Sequence, residues 1–187
     1  MQNMDHIQVN QKLRMERIRP SMAPVIYQTI EHDRSYLSRW LPFVAFTKKE
    51  QDTEKFILSI VGQKGKRRDD VYSIWYNEKF AGLIGFKETD WINQKTELGY
   101  WLAKKMQGKG IMTVCVQTLL QFAFQKLGMN RVQIKVAREN KKSAAIPQKL
   151  NFSFEGTERE GEKHEDTWLD LDVYSLLRKD RKNPENL

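Results

Sequence analysis

The sequence is poor in features that mark secreted, metal-stapled or membrane-spanning chains. One cysteine in 187 residues cannot form an internal disulfide. No Cys/His set has zinc-ligand spacing, so no metal is expected. A reducing, cytoplasmic setting is the matching expectation. No apolar run approaches the roughly 18–20 residues of a membrane span. Residues 1–10 are polar and do not read as a secretory signal. There is no internal repeat, low-complexity tract or linker. Disorder is excluded by nine Phe, five Trp and six Tyr.

What is present fits a single compact domain. A chain of this length buries about 70% of its unfolded surface. One domain is expected over residues 1–187, with a core at about 7–178 and a flexible basic tail at 179–187. The formal net charge is +8. That surplus suits nucleic acid, an anionic membrane surface or a smaller anionic ligand, or it serves only solubility.

The hydrophobic period predicts strands at 7–9 and 13–18 and a helix at 20–31 capped by Ser21. A short helix follows at 33–41. Another opens on a Thr47/Glu50 capping box and ends at Gly62. The period then becomes two, giving strands at 71–76, 80–86 and 97–102 joined by short turns. A long helix at 110–127 leads to a strand at 131–137, then a short helix at 143–150. Strands at 152–155 and 167–177 close the pattern. The expected class is α/β (α+β): one mixed, mostly antiparallel sheet of about seven strands, with helices on both faces. Two basic stretches, residues 64–68 and the tail from Arg178, read as solvated surface.

The most informative stretch joins a strand to the long helix through Gln107-Gly108-Lys109-Gly110-Ile111-Met112-Thr113. Free N–H groups at a helix start attract anions. Gly108 and Gly110 let backbone approach a ligand, and Lys109 adds charge. A phosphate or pyrophosphate suits this arrangement. The spacing is neither a Walker A loop nor G-x-G-x-x-G, and an ordinary turn and cap remains open from these residues alone.

Gln107-x-x-Gly110 resembles the Q/R-x-x-G-x-G/A signature of the GCN5-related N-acetyltransferases (GNAT), with Met112 at the last position. The string Gly99-Tyr-Trp-Leu102 with residues 107–112 is similar to the RimJ/RimL branch, whose named members acetylate ribosomal-protein N-termini. Two further blocks agree. Residues 139–156 resemble E-N-x-x-S-x-x-x-x-x-x-L-G-F-x-x-E-G, with Asn151 for Gly. Residues 169–174 resemble H-D-x-x-x-Y, with Leu169 in the His place.

The resemblance implies the GNAT fold and acetyl-coenzyme A as co-substrate. It implies binding by Leu102, Gln107, Gly108, Lys109, Gly110, Ile111, Met112, Thr113, Asn140 and Ser143. Backbone N–H near residues 100–102 would polarise the acetyl carbonyl. Ser143 is the candidate donor to the leaving thiolate, with a helix cap as its alternative. Glu162 is the candidate base, in an acidic stretch that reads as a solvated loop. Crowding by Glu155, Glu158, Glu160, Glu165 and Asp166 would raise its affinity for protons. Glu160 and His164 are rivals for the role. Cys115 reads as a buried hydrophobe, which favours direct attack in a ternary complex over a cysteine-bound intermediate. Trp40 and Trp91 could line an acceptor groove or simply pack.

The expected acceptor is a protein or peptide α-amine. A polyamine, amino acid or aminoglycoside is the alternative. Nucleic acid is the disfavoured partner, since no recognition motif accompanies the charge. No membrane partner is expected. Dimers occur in this branch, so a homodimer is compatible with the resemblance.

Overall fold

The computed structural model describes residues 5–62 and 70–180. The basic stretch expected at 64–68 and the tail beyond residue 180 lie outside the described residues. The strands form one eight-stranded sheet in the order β1-β2-β3-β4-β5-β6-β8-β7. These are β1 His6–Asn10, β2 Leu13–Arg17, β3 Val71–Tyr76, β4 Lys79–Asp90, β5 Lys95–Leu102, β6 Arg131–Ala137, β7 Ser153–His164 and β8 Thr167–Leu177. The class is as expected, with eight strands where about seven were read. The helices are α1 Ala23–His32, α2 Arg34–Leu37, α3 Glu50–Val61, α4 Ile111–Gln125 and α5 Lys141–Lys149.

The contacts divide into two compact units. The first holds residues up to 85 together with 100–111. Its core gathers Ile26 and Ile30 of α1, Leu37, Val44, Ile57 of α3, Phe80, Leu83 and Trp101. Trp75, Phe80 and Trp101 meet edge-to-face at 5.7 and 6.0 Å. The tight β3–β4 turn places both Asn77 and Glu78 at positive φ, as a two-residue hairpin requires.

Two expected caps are corrected. Ser21 makes no cap; it lies inside a 3-10 turn, Pro20–Met22, and α1 begins at Ala23. At α3 the side chain that closes the first turn is Asp52, not Glu50. It accepts from the N–H groups of Lys48 and Lys49 at 3.0 and 3.1 Å, while the Thr47 hydroxyl donates to Phe43 O. The two-residue shift follows from α3 opening at Glu50, which puts Asp52 at its third position.

The second unit holds residues 86–99 and 112 onward. Cys115, Val116, Leu119, Leu120 and Ala123 of α4 are buried, as are Val132, Ile134 and Val136 of β6. β5 and β6 pair in parallel from Lys95↔Arg131 to Glu97↔Gln133. β5 runs on to Leu102 and β6 to Ala137, beyond this short ladder. β7 and β8 make a long antiparallel hairpin. So the acidic stretch read as a loop is a strand through to His164. Arg178 does not fray either: its Nε and Nη2 donate to Met129 O at 3.0 and 2.8 Å. Leu177 N–H meets Asp180 Oδ2 at 3.1 Å and closes the 3-10 turn Arg178–Asp180.

Candidate active site

In the first unit, β5 ends at Leu102 and passes into the 3-10 turn Lys104–Met106, then the glycine turn. Two side chains from the α1–α2 region hold this connection. Buried Asp33 accepts from Lys104 N–H at 2.7 Å. The Gln107 amide donates to the Tyr36 hydroxyl. Gly108 and Gly110 both adopt φ +73°, where a side chain is strained. No atom lies within 4 Å of where a Cβ would sit at either, so conformation and not crowding selects glycine. Both glycines are exposed. Lys109 lies over the Tyr76 ring at 5.7 Å, and Lys104 and Lys105 are exposed beside it in the chain. The first turn of α4 carries no acidic residue. This is a cationic, donor-rich turn suited to a polyanion.

Ile111 and Met112 are buried, so their side chains belong to the core and only their backbone can serve a ligand there. Met112, which stands where the signature has Gly or Ala, is buried. Thr113 is half-buried in the first turn of α4.

In the second unit, Asn140 follows β6 and caps α5. Its Oδ1 accepts from Ser143 N–H at 3.2 Å. The cap is therefore Asn140, not Ser143, and Ser143 stands at the third helical position. This arrangement brings Asn140 and Ser143 together. Pro147 sits inside α5, where it withholds a backbone N–H from the helix ladder.

Glu162 lies on β7 after a bulge. There the residues from Arg159 to Gly161 oppose one residue of β8, between Glu158↔Leu171 and Glu162↔Leu169. Glu160 takes φ +52°, is exposed, and donates its N–H to Asp170 Oδ1 at 2.9 Å. Glu162 and His164 share the next face of β7 and are half-buried. Burial raises the Glu162 carboxyl above its ordinary range; Lys87 and His164 oppose this and Glu97 adds to it. The expected cause, crowding by neighbouring acids, is thus replaced by desolvation. Glu155 shows the opposite behaviour. Its bonds to Arg131 hold it down at about 2, and Glu158 is ion-paired with Lys135.

Cys115 is fully buried and its thiol is pushed up to about 12 by desolvation. It is an inert packing residue. Trp40 and Trp91 are half-buried. Among the described residues, no group of three or more His, Cys, Asp or Glu could hold a metal ion. No helix among them is long and apolar enough to cross a membrane.

Residues 12–153 match the family profile described as an acetyltransferase (GNAT) domain. The chain belongs to the GNAT acetyltransferases. It is an N-acetyltransferase by this membership, and its relatives agree. A Bacillus subtilis (strain 168) protein with the provisional name ribosomal N-acetyltransferase YdaF is 31% identical over 176 residues. That match covers 92% of this chain and 94% of the relative. The ribosomal-protein-serine acetyltransferase of Escherichia coli (strain K12) is 25% identical, covering 91% and 96%. The crystal structure of microcin C7 self immunity acetyltransferase MccE, in complex with acetyl-CoA and AMP, superposes with a TM-score of 0.88. It is 26% identical and covers 94% of this chain and 97% of that one.

The exposed glycine turn, with Lys104, Lys105 and Lys109 and the start of α4, suits a polyanion. Sequence reasoning missed five residues: Asp33 and Tyr36, which brace the turn, and Lys87, Glu97 and Gln133, which bond one another across β4, β5 and β6. Only Glu97 left a trace. It is a charged residue at the start of the strand expected at 97–102, beside Leu98, and it is buried.

Proposed function

We propose that this protein transfers the acetyl group of acetyl-CoA to the α-amine of a protein N-terminus, of the ribosomal-protein kind, by direct attack in a ternary complex. The observation that carries the chemistry is the half-buried Glu162, its carboxyl raised by desolvation while Glu155 and Glu158 are held in ion pairs. The names of two relatives that span nearly the whole chain support the acceptor class.

Acetyl-CoA supplies an acetyl group activated as a thioester. Gly108, Lys109, Gly110 and the backbone of Ile111, Met112 and Thr113 hold its pyrophosphate. Gln107 keeps the turn in place through Tyr36. Asn140 takes the pantetheine arm, and a backbone N–H near Leu102 polarises the acetyl carbonyl. Glu162 takes up the proton that the amine nitrogen releases as it is acylated; a base needs an affinity near the working pH for this. The Ser143 hydroxyl donates toward the sulfur as the C–S bond breaks. With Cys115 buried and its thiol raised, no acyl-cysteine is formed. Residues 1–187 act as one catalytic domain in the cytoplasm, where ribosomal proteins are made.

The test is an acetyl-CoA-dependent screen read by thiol release. It pairs peptides carrying ribosomal-protein N-termini with the same peptides blocked at the α-amine, and with spermidine. Turnover confined to free α-amines is expected. Turnover with spermidine alone would move the acceptor to a small amine.

A further inference from the structure

The glycine turn is not held by packing. Gly108, Lys109 and Gly110 are exposed, and nothing lies within 4 Å of a Cβ position at either glycine. Two glycines in succession leave a backbone with much freedom to lose when a ligand fixes it. At its far end the turn is anchored by Ile111, which is only 3% exposed. At its near end and over its middle, three side chains from elsewhere in the first unit reach it.

Asp33 is the first. It stands at the N-cap of α2, where an aspartate ordinarily bonds the N–H groups of its own helix. Its carboxylate makes no such bond. It reaches instead across 71 positions to the Lys104 N–H, at 2.7 Å. A buried carboxylate is costly, and a charge-assisted bond of this kind offsets the cost. The bond takes the Lys104 backbone and leaves the lysine side chain exposed. Tyr36, one turn along α2, is the second. Its ring packs against the core of the first unit, and its hydroxyl accepts from the Gln107 amide. Tyr76, at the end of β3, is the third. Its ring faces the Lys109 ammonium at 5.7 Å. The first turn of α2 needs none of these contacts: the Asp33 carbonyl closes it, accepting from the Tyr36 and Leu37 N–H groups at 2.9 Å each.

We infer that Asp33, Tyr36 and Tyr76 are positioning residues that set the glycine turn in its binding shape before the co-substrate arrives, and so fix the affinity for the pyrophosphate end of coenzyme A. This rests on the reading of the turn as the pyrophosphate cradle. Ordering completed in the free enzyme no longer opposes binding.

Calorimetric titration of the intact protein with coenzyme A tests this, alongside steady-state kinetics with acetyl-CoA and with Gly110→Ala as the control on the cradle. Tyr36→Phe should weaken coenzyme A by roughly 3- to 10-fold, the equivalent of one neutral hydrogen bond. The loss should fall on KM for acetyl-CoA and not on kcat. Asp33→Ala should lose about 10-fold or more, and Asp33→Asn, which keeps an acceptor oxygen, should recover most of it. Tyr76→Leu should lose roughly 2- to 5-fold, and nothing further in a Lys109→Met background. Tyr36→Phe decides the matter if Asp33→Ala does not fold. Wild-type affinity in folded Tyr36→Phe, or a loss that falls on kcat, overturns the positioning role, while a weakened Gly110→Ala keeps the cradle. Wild-type affinity in Gly110→Ala overturns the cradle, and this inference with it. A further loss from Tyr76→Leu in the Lys109→Met background overturns the part given to Tyr76.

Discussion

At the residue scale, the acidic run after residue 154 separates into unlike members. Glu162 is half-buried and raised; Glu155 is pinned by Arg131 and Ser175 and lowered to about 2. Spacing could mark the run but not sort it, because burial and partner decide the sense of each displacement. Glu155 makes a prediction with a definite sign. Its folded value lies below the ordinary 4.5. Its stabilising contribution is thus complete above about pH 4.5 and is lost as pH falls toward about 2. Urea unfolding across that range should lose stability more steeply in the wild type than in Glu155→Gln, and parallel slopes would refute the assignment. Cys115 makes a second. Its depth and raised thiol exclude nucleophilic work, so Cys115→Ala should keep the wild-type kcat while losing about 1 kcal/mol of stability to the lost packing. A variant that folds but cannot turn over would restore a cysteine-bound route.

At the element scale, the glycine turn was the best-read feature, because strand, glycines and helix onset all leave marks in the sequence. Its brace was not. Asp33 and Tyr36 lie some seventy positions from their partners, and nothing local joins Tyr36 to Gln107 or Asp33 to Lys104. The acidic strand β7 was read as a loop for a different reason. Its Glu- and Gly-rich sequence has low strand propensity and is carried by pairing with β8. The caps at Ser21 and Thr47 failed because a local pattern was offset from the helix start that packing chose. The turn itself yields a prediction. Gly110→Ala forces a side chain into φ +73°, about 1–2 kcal/mol of strain with no clash to relieve. Calorimetry should show weaker acetyl-CoA binding by roughly 5- to 30-fold if the turn must give up its shape to avoid that strain. Unchanged affinity would mean the cradle lies elsewhere.

At the scale of the whole molecule, the class and the succession of elements along the chain were legible because the hydrophobic period is clear in most elements. The short β5–β6 ladder was not, since sequence gives no account of where parallel partners cease to pair. The +8 charge takes on a meaning at this scale that composition could not give it. Lys104, Lys105 and Lys109 gather at the glycine turn, while the half-buried carboxyl of Glu162 lies in the other compact unit. A polyanionic co-substrate and a cationic amine acceptor call for those two local signs. The central claim is that Glu162 accepts the amine proton. Single-turnover acetyl transfer to an N-terminal peptide, followed against pH in wild type and Glu162→Gln, tests it most directly. The wild-type rate should rise through one ionisation above the ordinary carboxylate range to a plateau, and Glu162→Gln should be slower by about 10²-fold or more without that rise. The same rise in both proteins would contradict the account.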